Sequence, residues 1–236
     1  MFDIIIRNGR IVDGTGNPWF PGDVAIAGDR IAAVGRLPGA QAAREIDAAG
    51  KVVCPGFIDC HSHSDQSILA NRAATSSIYQ GVTTEIAGQC GLSPAPITDV
   101  SRVAMARGIE GNAPGVVADW STHAEYNDRL GQGLAINFAV LAGHTVLRRA
   151  VLGMEDRRPT EDEMRQMERL LEESLDGGAF GLSFGLEYAP GSSADAEELR
   201  RLCAVAGRRG KITAWHVRNR DRWFEASIRE ALDATQ

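Results

Sequence analysis

The rhythm of apolar and polar positions changes once along the chain, near residue 54. Before that point, short apolar runs alternate with turn signals. Residues 2–6, Ile11-Val12, Val24-Ala25-Ile26, residues 31–34, Ile46 and Val52-Val53 are separated by Asn8-Gly9, residues 13–18 and Gly28-Asp29. Segments this short at this spacing predict a small all-β module over residues 1–53. They are too few to close a sheet with covered edges, so partner strands from elsewhere are expected. From residue 55 to residue 236, strand-like runs alternate with helical periodicity, the signature of a parallel α/β sheet.

Within that second region, the apolar run from Val52 predicts a buried strand that ends at His61 and His63. Further strands are expected over residues 81–88, 135–144, 179–186 and 211–216. Helices are expected over residues 66–79, 121–130 and 223–234. The clearest helix follows Pro159. Thr160-x-x-Glu163 forms a capping box, Met164, Met167, Leu170, Leu171 and Leu175 share a face, and Gly177-Gly178 ends it. Asp195-x-x-Glu198 caps another helix, with Leu199, Leu202, Cys203 and Ala206 on its core side. A Pro- and Gly-rich loop over residues 91–119 has the length of a lid or substrate wall.

Composition narrows the function classes. The 236 residues are 44% hydrophobic, and 25 basic against 31 acidic side chains give a net charge of −6. No basic block interleaved with aromatics appears, which argues against nucleic acid as a partner. No apolar run reaches membrane-spanning length, and the start Met1-Phe2-Asp3 has no signal-peptide pattern, so a cytoplasmic protein is expected. Cys54, Cys60, Cys90 and Cys203 are spread without disulfide-framework spacing, which favours metal binding or chemistry for any special cysteine.

The chemistry-bearing residues gather at expected strand ends. Alternate residues of a strand face the same side, so His61 and His63 can aim two imidazoles at one ion. Cys90 follows the next strand; it is either a thiolate ligand able to bridge two metals or a small buried hydrophobe. His216 closes the last expected strand, where barrel enzymes place functional groups. His144 sits similarly after residues 135–143 and reads as a satisfied structural histidine, while His123 reads as a surface residue. Tyr188 and Arg218 are candidate substrate contacts, the alternatives being a rim aromatic and a surface ion pair. Glu187 is either a ligand or a solvated loop carboxylate.

Taken together, these motifs resemble a known family. The β module followed by Pro55-Gly56-Phe57-Ile58-Asp59-Cys60-His61-Ser62-His63 resembles the amidohydrolase superfamily of metal-dependent (β/α)8 barrels. Gly81-Val82-Thr83-Thr84-Glu85, Gly88-Gln89-Cys90-Gly91, residues 178–183, Glu187-Tyr188-Ala189-Pro190-Gly191 and His216-Val217-Arg218-Asn219 are similar to the N-acyl-D-amino-acid deacylases. The resemblance implies an α/β fold, namely a partial TIM barrel with half of a small composite β-sandwich at its N-terminal end. It also implies one tightly held Zn2+, with a second, weaker site left open. The implied metal ligands are His61, His63, Cys90 and His216, with Tyr188 and Arg218 near a small-molecule N-acyl amino acid. Cys90 takes the place of the bridging carboxylate. Residues 179–186 contain no lysine, which sets the chain apart from hydantoinases and dihydroorotases, whose fourth strand carries a carboxylated lysine.

Two departures from the family stand out. Arg220 occupies a position where the family has an acidic residue. A complete barrel needs eight strand-helix units, and the sixth-strand histidine and the eighth-strand general-base aspartate have no counterpart in this sequence. Two readings follow: a deacylase that needs a complementary C-terminal half or self-association, or a zinc-binding fragment without turnover.

Overall fold

Ten residues, Phe2–Ile11, form the longest strand, β1. The computed structural model describes residues 1–101 and 115–236, so much of the 91–119 loop expected from sequence lies outside the described residues. The chain divides into two compact units, Met1–Gly56 and Phe57–Gln236.

The first unit is one five-stranded sheet around β1. β1 pairs antiparallel with β2 (Phe20–Ala27) and parallel with β4 (Ala42–Asp47) and β5 (Val52–Val53). β3 (Arg30–Gly35) extends the sheet beyond β2. The turn expected at Asn8-Gly9 is instead a bulge within β1, where the register shifts between Ile6 and Gly9. Asn8 takes φ 61°, a left-handed conformation that asparagine tolerates better than most residues. Its N–H donates to Asp23 Oδ1 at 2.9 Å and its side-chain amide to Asp47 Oδ1 at 3.0 Å. Local polar bonds thus replace the interrupted ladder.

In the second unit, β6 (Phe57–Asp59), β7 (Val82–Ala87) and β8 (Asn137–Val140) run parallel, as do β9 (Ala142–Gly143), β10 (Gly181–Gly185) and β11 (Ile212–His216). Leu141 alone separates β8 from β9, and its N–H still bonds Ala87 O at 3.0 Å. Residues 137–143 are therefore one strand with a break, and spatial order follows chain order from β6 to β11. Among the described residues no further strand pairs with β6 or β11 on their outer sides, and the candidate ligands follow or end β6, β7 and β11.

The buried strand expected from Val52 to His63 is corrected by the structure. Val52–Val53 pairs with β1 in the first unit, Pro55-Gly56 interrupts the run, and β6 is a three-residue edge strand. Its Phe57 and Ile58 are 57% and 65% exposed, because nothing among the described residues covers that edge. His61 and His63 lie beyond the strand end, not on it. The helix expected over residues 66–79 is likewise two short pieces, α1 (Ser67–Ala70) and α2 (Thr75–Ile78), interrupted by Ala74 at φ 44°.

The longer described helices are α3 (His123–Leu130), α4 (His144–Leu152), α5 (Glu161–Asp176), α6 (Ala196–Arg208) and α7 (Phe224–Ala234). The Thr160/Glu163 capping box forms as expected, and Asp195 caps α6 by accepting from the Glu198 N–H. α5 and α6 bury Met164, Met167, Leu171, Leu199 and Leu202 in one cluster with Leu182 and Phe184 of β10. Each such side chain stabilises the fold by roughly 1.5–3 kcal/mol. Sequence periodicity does not announce α4, because Arg148 and Arg149 lie on its buried side. Glu198 neutralises Arg148 there. One carboxylate oxygen binds Arg148 and the other lies 2.7 Å from His144 Nε2, all three groups being buried. His144 is thus buried and held through Nε2, in line with the structural role expected, while its buried Nδ1 has no hydrogen-bond partner among the described residues. His123 is not the surface residue expected: it opens α3 and is 1% exposed. The polar sequence of α3 conceals a buried face of His123, Tyr126 and Leu130.

Candidate metal centre

Cys90 is the hub on which the site is built. The segment Gly88-Gln89-Cys90-Gly91 leaves β7 through three unusual positions among four residues, with φ of 74° at Gly88, 56° at Cys90 and 75° at Gly91. A non-glycine residue in the left-handed region costs about 1–3 kcal/mol and persists only where its surroundings over-determine it. Here they do. The buried Ser183 hydroxyl donates to Gly88 O at 2.5 Å and accepts from the Gly91 N–H at 3.0 Å. Gly185 of β10 lies so close that a Cβ there would stand 1.8 Å from Cys90 O. The loop is pressed against β10, and Cys90 is 8% exposed.

Cys90 Sγ lies between two imidazoles. His61 Nε2 is 3.4 Å away on one side and His216 Nδ1 is 3.3 Å away on the other. Among the described residues, His61, His63 and Cys90 form a ligand cluster whose donor atoms all lie within 4.8 Å of one another. The donor set fits zinc. A tetrahedral ion with Zn–S of about 2.3 Å and Zn–N of about 2.0 Å sets its sulfur and nitrogen ligands about 3.5 Å apart, close to both separations found. Burial raises the Cys90 thiol above its usual range, while the charge of Arg220 pulls it the other way. A metal would reverse the burial effect by taking the thiolate directly.

His216 is oriented from behind. Its Nε2 lies 2.7 Å from Glu187 Oε2, which also accepts from Arg220 at 2.7 Å. A carboxylate on one ring nitrogen fixes the tautomer and turns the other nitrogen toward the metal side. His216 and Arg220 draw the Glu187 carboxyl below its usual range, the His216 bond being the larger influence. Arg220 is thus matched to Glu187, and neither of the readings considered for Glu187 from sequence anticipated this bridge.

The His61–His63 segment is anchored through the backbone of residues 60–62. Cys60 O accepts from Gln89 Nε2 at 2.8 Å, the His61 N–H donates to Asp59 Oδ1 at 3.1 Å, and the Ser62 N–H donates to Ile86 O at 3.1 Å. Ser62 and Ser64 turn to the buried carboxylate of Glu85, which the Ser77 hydroxyl also joins. Burial pushes the Glu85 carboxyl up, but these hydroxyl bonds outweigh it and hold it below its usual range.

The structure gathers His61, His63 and Cys90 into one cluster; His216 lies outside that cluster and meets it through Cys90 Sγ, 3.3 Å from its Nδ1, and Tyr188 packs edge-on against His216 with ring centroids 4.8 Å apart. Arg218 takes the ion-pair alternative offered from sequence. The guanidinium donates to Glu230 at 2.9 Å, to Ala194 O at 2.8 Å and to Ser192 O at 2.5 Å. A substrate carboxylate would have to displace Glu230 to reach it. From sequence, Glu85 and Ser183 stood only as members of motifs, and neither they nor Gly185 had a role of their own. An acid within the expected strand over residues 81–88 was the available signal.

The model of the amidohydrolase family matches residues 44–229. N-acyl-D-glutamate deacylase from Alcaligenes xylosoxydans xylosoxydans is 39% identical over 98% of this chain and 46% of its own length. D-aminoacylase from the same organism is 36% identical over 98% of this chain and 47% of its own. A solved D-aminoacylase with a binuclear metal centre superposes with a TM-score of 0.91 at 36% identity, covering 99% of this chain and 49% of that one. N-acyl-D-glutamate deacylase from Bordetella bronchiseptica, solved with zinc and a phosphonate mimic of the tetrahedral intermediate, gives a TM-score of 0.86 at 35% identity, covering 99% of this chain and 48% of that one. An L-hydantoinase at 22% identity and a TM-score of 0.57 shares the fold. The chain spans about half the length of the curated relatives it matches.

Proposed function

Since this chain belongs to the amidohydrolase family, we propose that it supplies the zinc-binding half of a hydrolase that cleaves the amide bond of N-acyl-D-amino acids to a carboxylate and a D-amino acid. The observation that carries this reading is Cys90 Sγ standing 3.4 Å from His61 Nε2 and 3.3 Å from His216 Nδ1. The relatives' activities support the substrate class.

His61, His63, Cys90 and His216 would hold the metal. Bound zinc supplies Lewis-acid polarisation of a carbonyl and a water acidified to a pKa of about 7. The chain's own residues set the stage for that chemistry. The bridge from Arg220 through Glu187 keeps His216 Nδ1 toward Cys90. Tyr188, 43% exposed beside His216, is assigned to contact the substrate's polar head. Arg218 is assigned to hold Ser192, Ala194 and Glu230 in place around it. The general-base aspartate implied by the resemblance is assigned to a complementary segment that completes the barrel. No helix among the described residues is long and apolar enough to cross a membrane. With free cysteines at 54, 60, 90 and 203, we place the protein in the cytoplasm, where thiols stay reduced.

The test is amine release from N-acetyl-D-glutamate and its L enantiomer. The zinc-loaded chain is assayed alone and when co-expressed with the C-terminal portion of the related N-acyl-D-glutamate deacylase. D-selective hydrolysis that vanishes in Cys90→Ala is expected with the complement. Hydrolysis that survives Cys90→Ala, or none in the complemented zinc-loaded protein, overturns the proposal.

A further inference from the structure

The sequence His61-Ser62-His63-Ser64 alternates two residue types with two destinations. The histidines belong to the donor cluster with Cys90. The serines meet one carboxylate, Glu85, which is 4% exposed on β7, the strand next to β6. Ser62 Oγ lies 3.0 Å from Glu85 Oε2 and 2.8 Å from Ser64 Oγ, and Ser64 bonds the same carboxylate oxygen. Ser77 of α2 bonds the other oxygen. The Ser64 N–H donates to Ser62 Oγ at 3.1 Å, which closes the segment into a tight loop. Asp59 pairs with Glu85 in the ladder, so the carboxylate sits immediately beside the point where the chain leaves β6.

We infer that Glu85 is a positioning residue for the metal centre: by gathering the Ser62, Ser64 and Ser77 hydroxyls it fixes the segment between β6 and α1 so that His61 and His63 face Cys90. The segment lies beyond the strand end, so ladder hydrogen bonds do not orient its side chains. A carboxylate suits the task because it only accepts and offers about four lone-pair sites, enough for three hydroxyl donors. A carboxamide of the same shape presents N–H donors to hydroxyls that need an acceptor. Partners of this kind, one step removed from the ligands, change metal affinity by about 10–100-fold when altered. The inference rests on the metal-centre reading for its consequence, but not for its geometry.

The test separates the two. The chain is prepared with 15N-labelled histidine as wild type, Glu85→Gln, and the double variant Ser62→Ala/Ser64→Ala. The double variant leaves the Glu85–Ser77 bond intact and covers the case in which Glu85→Gln does not fold. Ring spectra of the five histidines are recorded without metal, and Zn2+ affinity is measured by competition with a chromophoric chelator. The His61 and His63 signals are expected to shift and broaden in both variants, while those of His123, His144 and His216 stay in place. Zn2+ affinity is expected to fall 10–100-fold. Unchanged His61 and His63 signals in the double variant overturn the inference. A wild type that takes up no Zn2+ overturns the metal-centre reading, and the metal-free spectra still decide the role of Glu85.

Discussion

Removing the Glu198 carboxylate tests the buried side of the fold that carries β10 and β11. Glu198 is 1% exposed and holds two partners that are themselves fully buried, His144 and Arg148. Arg148 keeps one further bond, to Arg157 O at 2.8 Å, which leaves its charge uncompensated once the carboxylate is gone. Breaking a buried pair by deleting one partner costs about 3–5 kcal/mol. For a chain of this size each kcal/mol lowers Tm by about 2–4 °C, so Glu198→Ala is expected to lose roughly 6–20 °C. Replacing the pair with apolar groups of similar volume, Arg148→Met with Glu198→Leu, is expected to recover most of that loss. Thermal melts followed by far-UV circular dichroism, with urea unfolding as a second measure, provide the assay. A Glu198→Ala loss below about 1 kcal/mol, or a double variant less stable than the single one, would refute the buried-charge reasoning.

Other residues yield sharper, smaller tests. Burial lowers His123 to a pKa of about 4 from 6.5. The neutral ring therefore contributes stability that is complete above pH 6.5 and fades as pH falls toward 4, about 3 kcal/mol in all. His123→Leu should flatten that acid limb in urea titrations, and an unaltered pH profile would count against it. Burial pushes the Cys203 thiol up to about 12, whereas Cys54 and Cys60 are exposed. A thiol-reactive disulfide reagent should modify Cys54 and Cys60 in the native chain and reach Cys203 only on unfolding, as mass mapping can check. Gly185→Ala places a Cβ against Cys90 O; it should lower Zn2+ affinity far more than Gly207→Ala, where nothing lies within 4 Å.

The sequence exposed much of this arrangement because its signals were local. The capping box at Thr160 and Glu163 and the Asp195 cap satisfy helix termini within three residues, so they read directly from spacing. The candidate ligands could be picked out for a similar reason, each standing just after an expected strand. Non-local features were not legible. Arg148 and Arg149 hide α4 because the charge of Arg148 is answered 50 residues away by Glu198. His123 looked solvated because α3 is polar in sequence, yet the residues that enclose it come from other elements. The bulge at Asn8 imitated a turn, since a left-handed asparagine serves both and only the Asp23 and Asp47 contacts tell them apart. The anchoring of Cys90 by Ser183 and Gly185 depends on β10 pressing on the β7 loop, about 90 residues away in sequence.

The central claim is that Cys90, between His61 and His216, is the hub of a zinc site. Elemental analysis of the purified chain, wild type against Cys90→Ala, tests it most directly, with light scattering to confirm that both are folded and unaggregated. Stoichiometric zinc in the wild type and its loss in Cys90→Ala is the result the account predicts. A folded wild type without zinc, or zinc retained at full stoichiometry in Cys90→Ala, would contradict it.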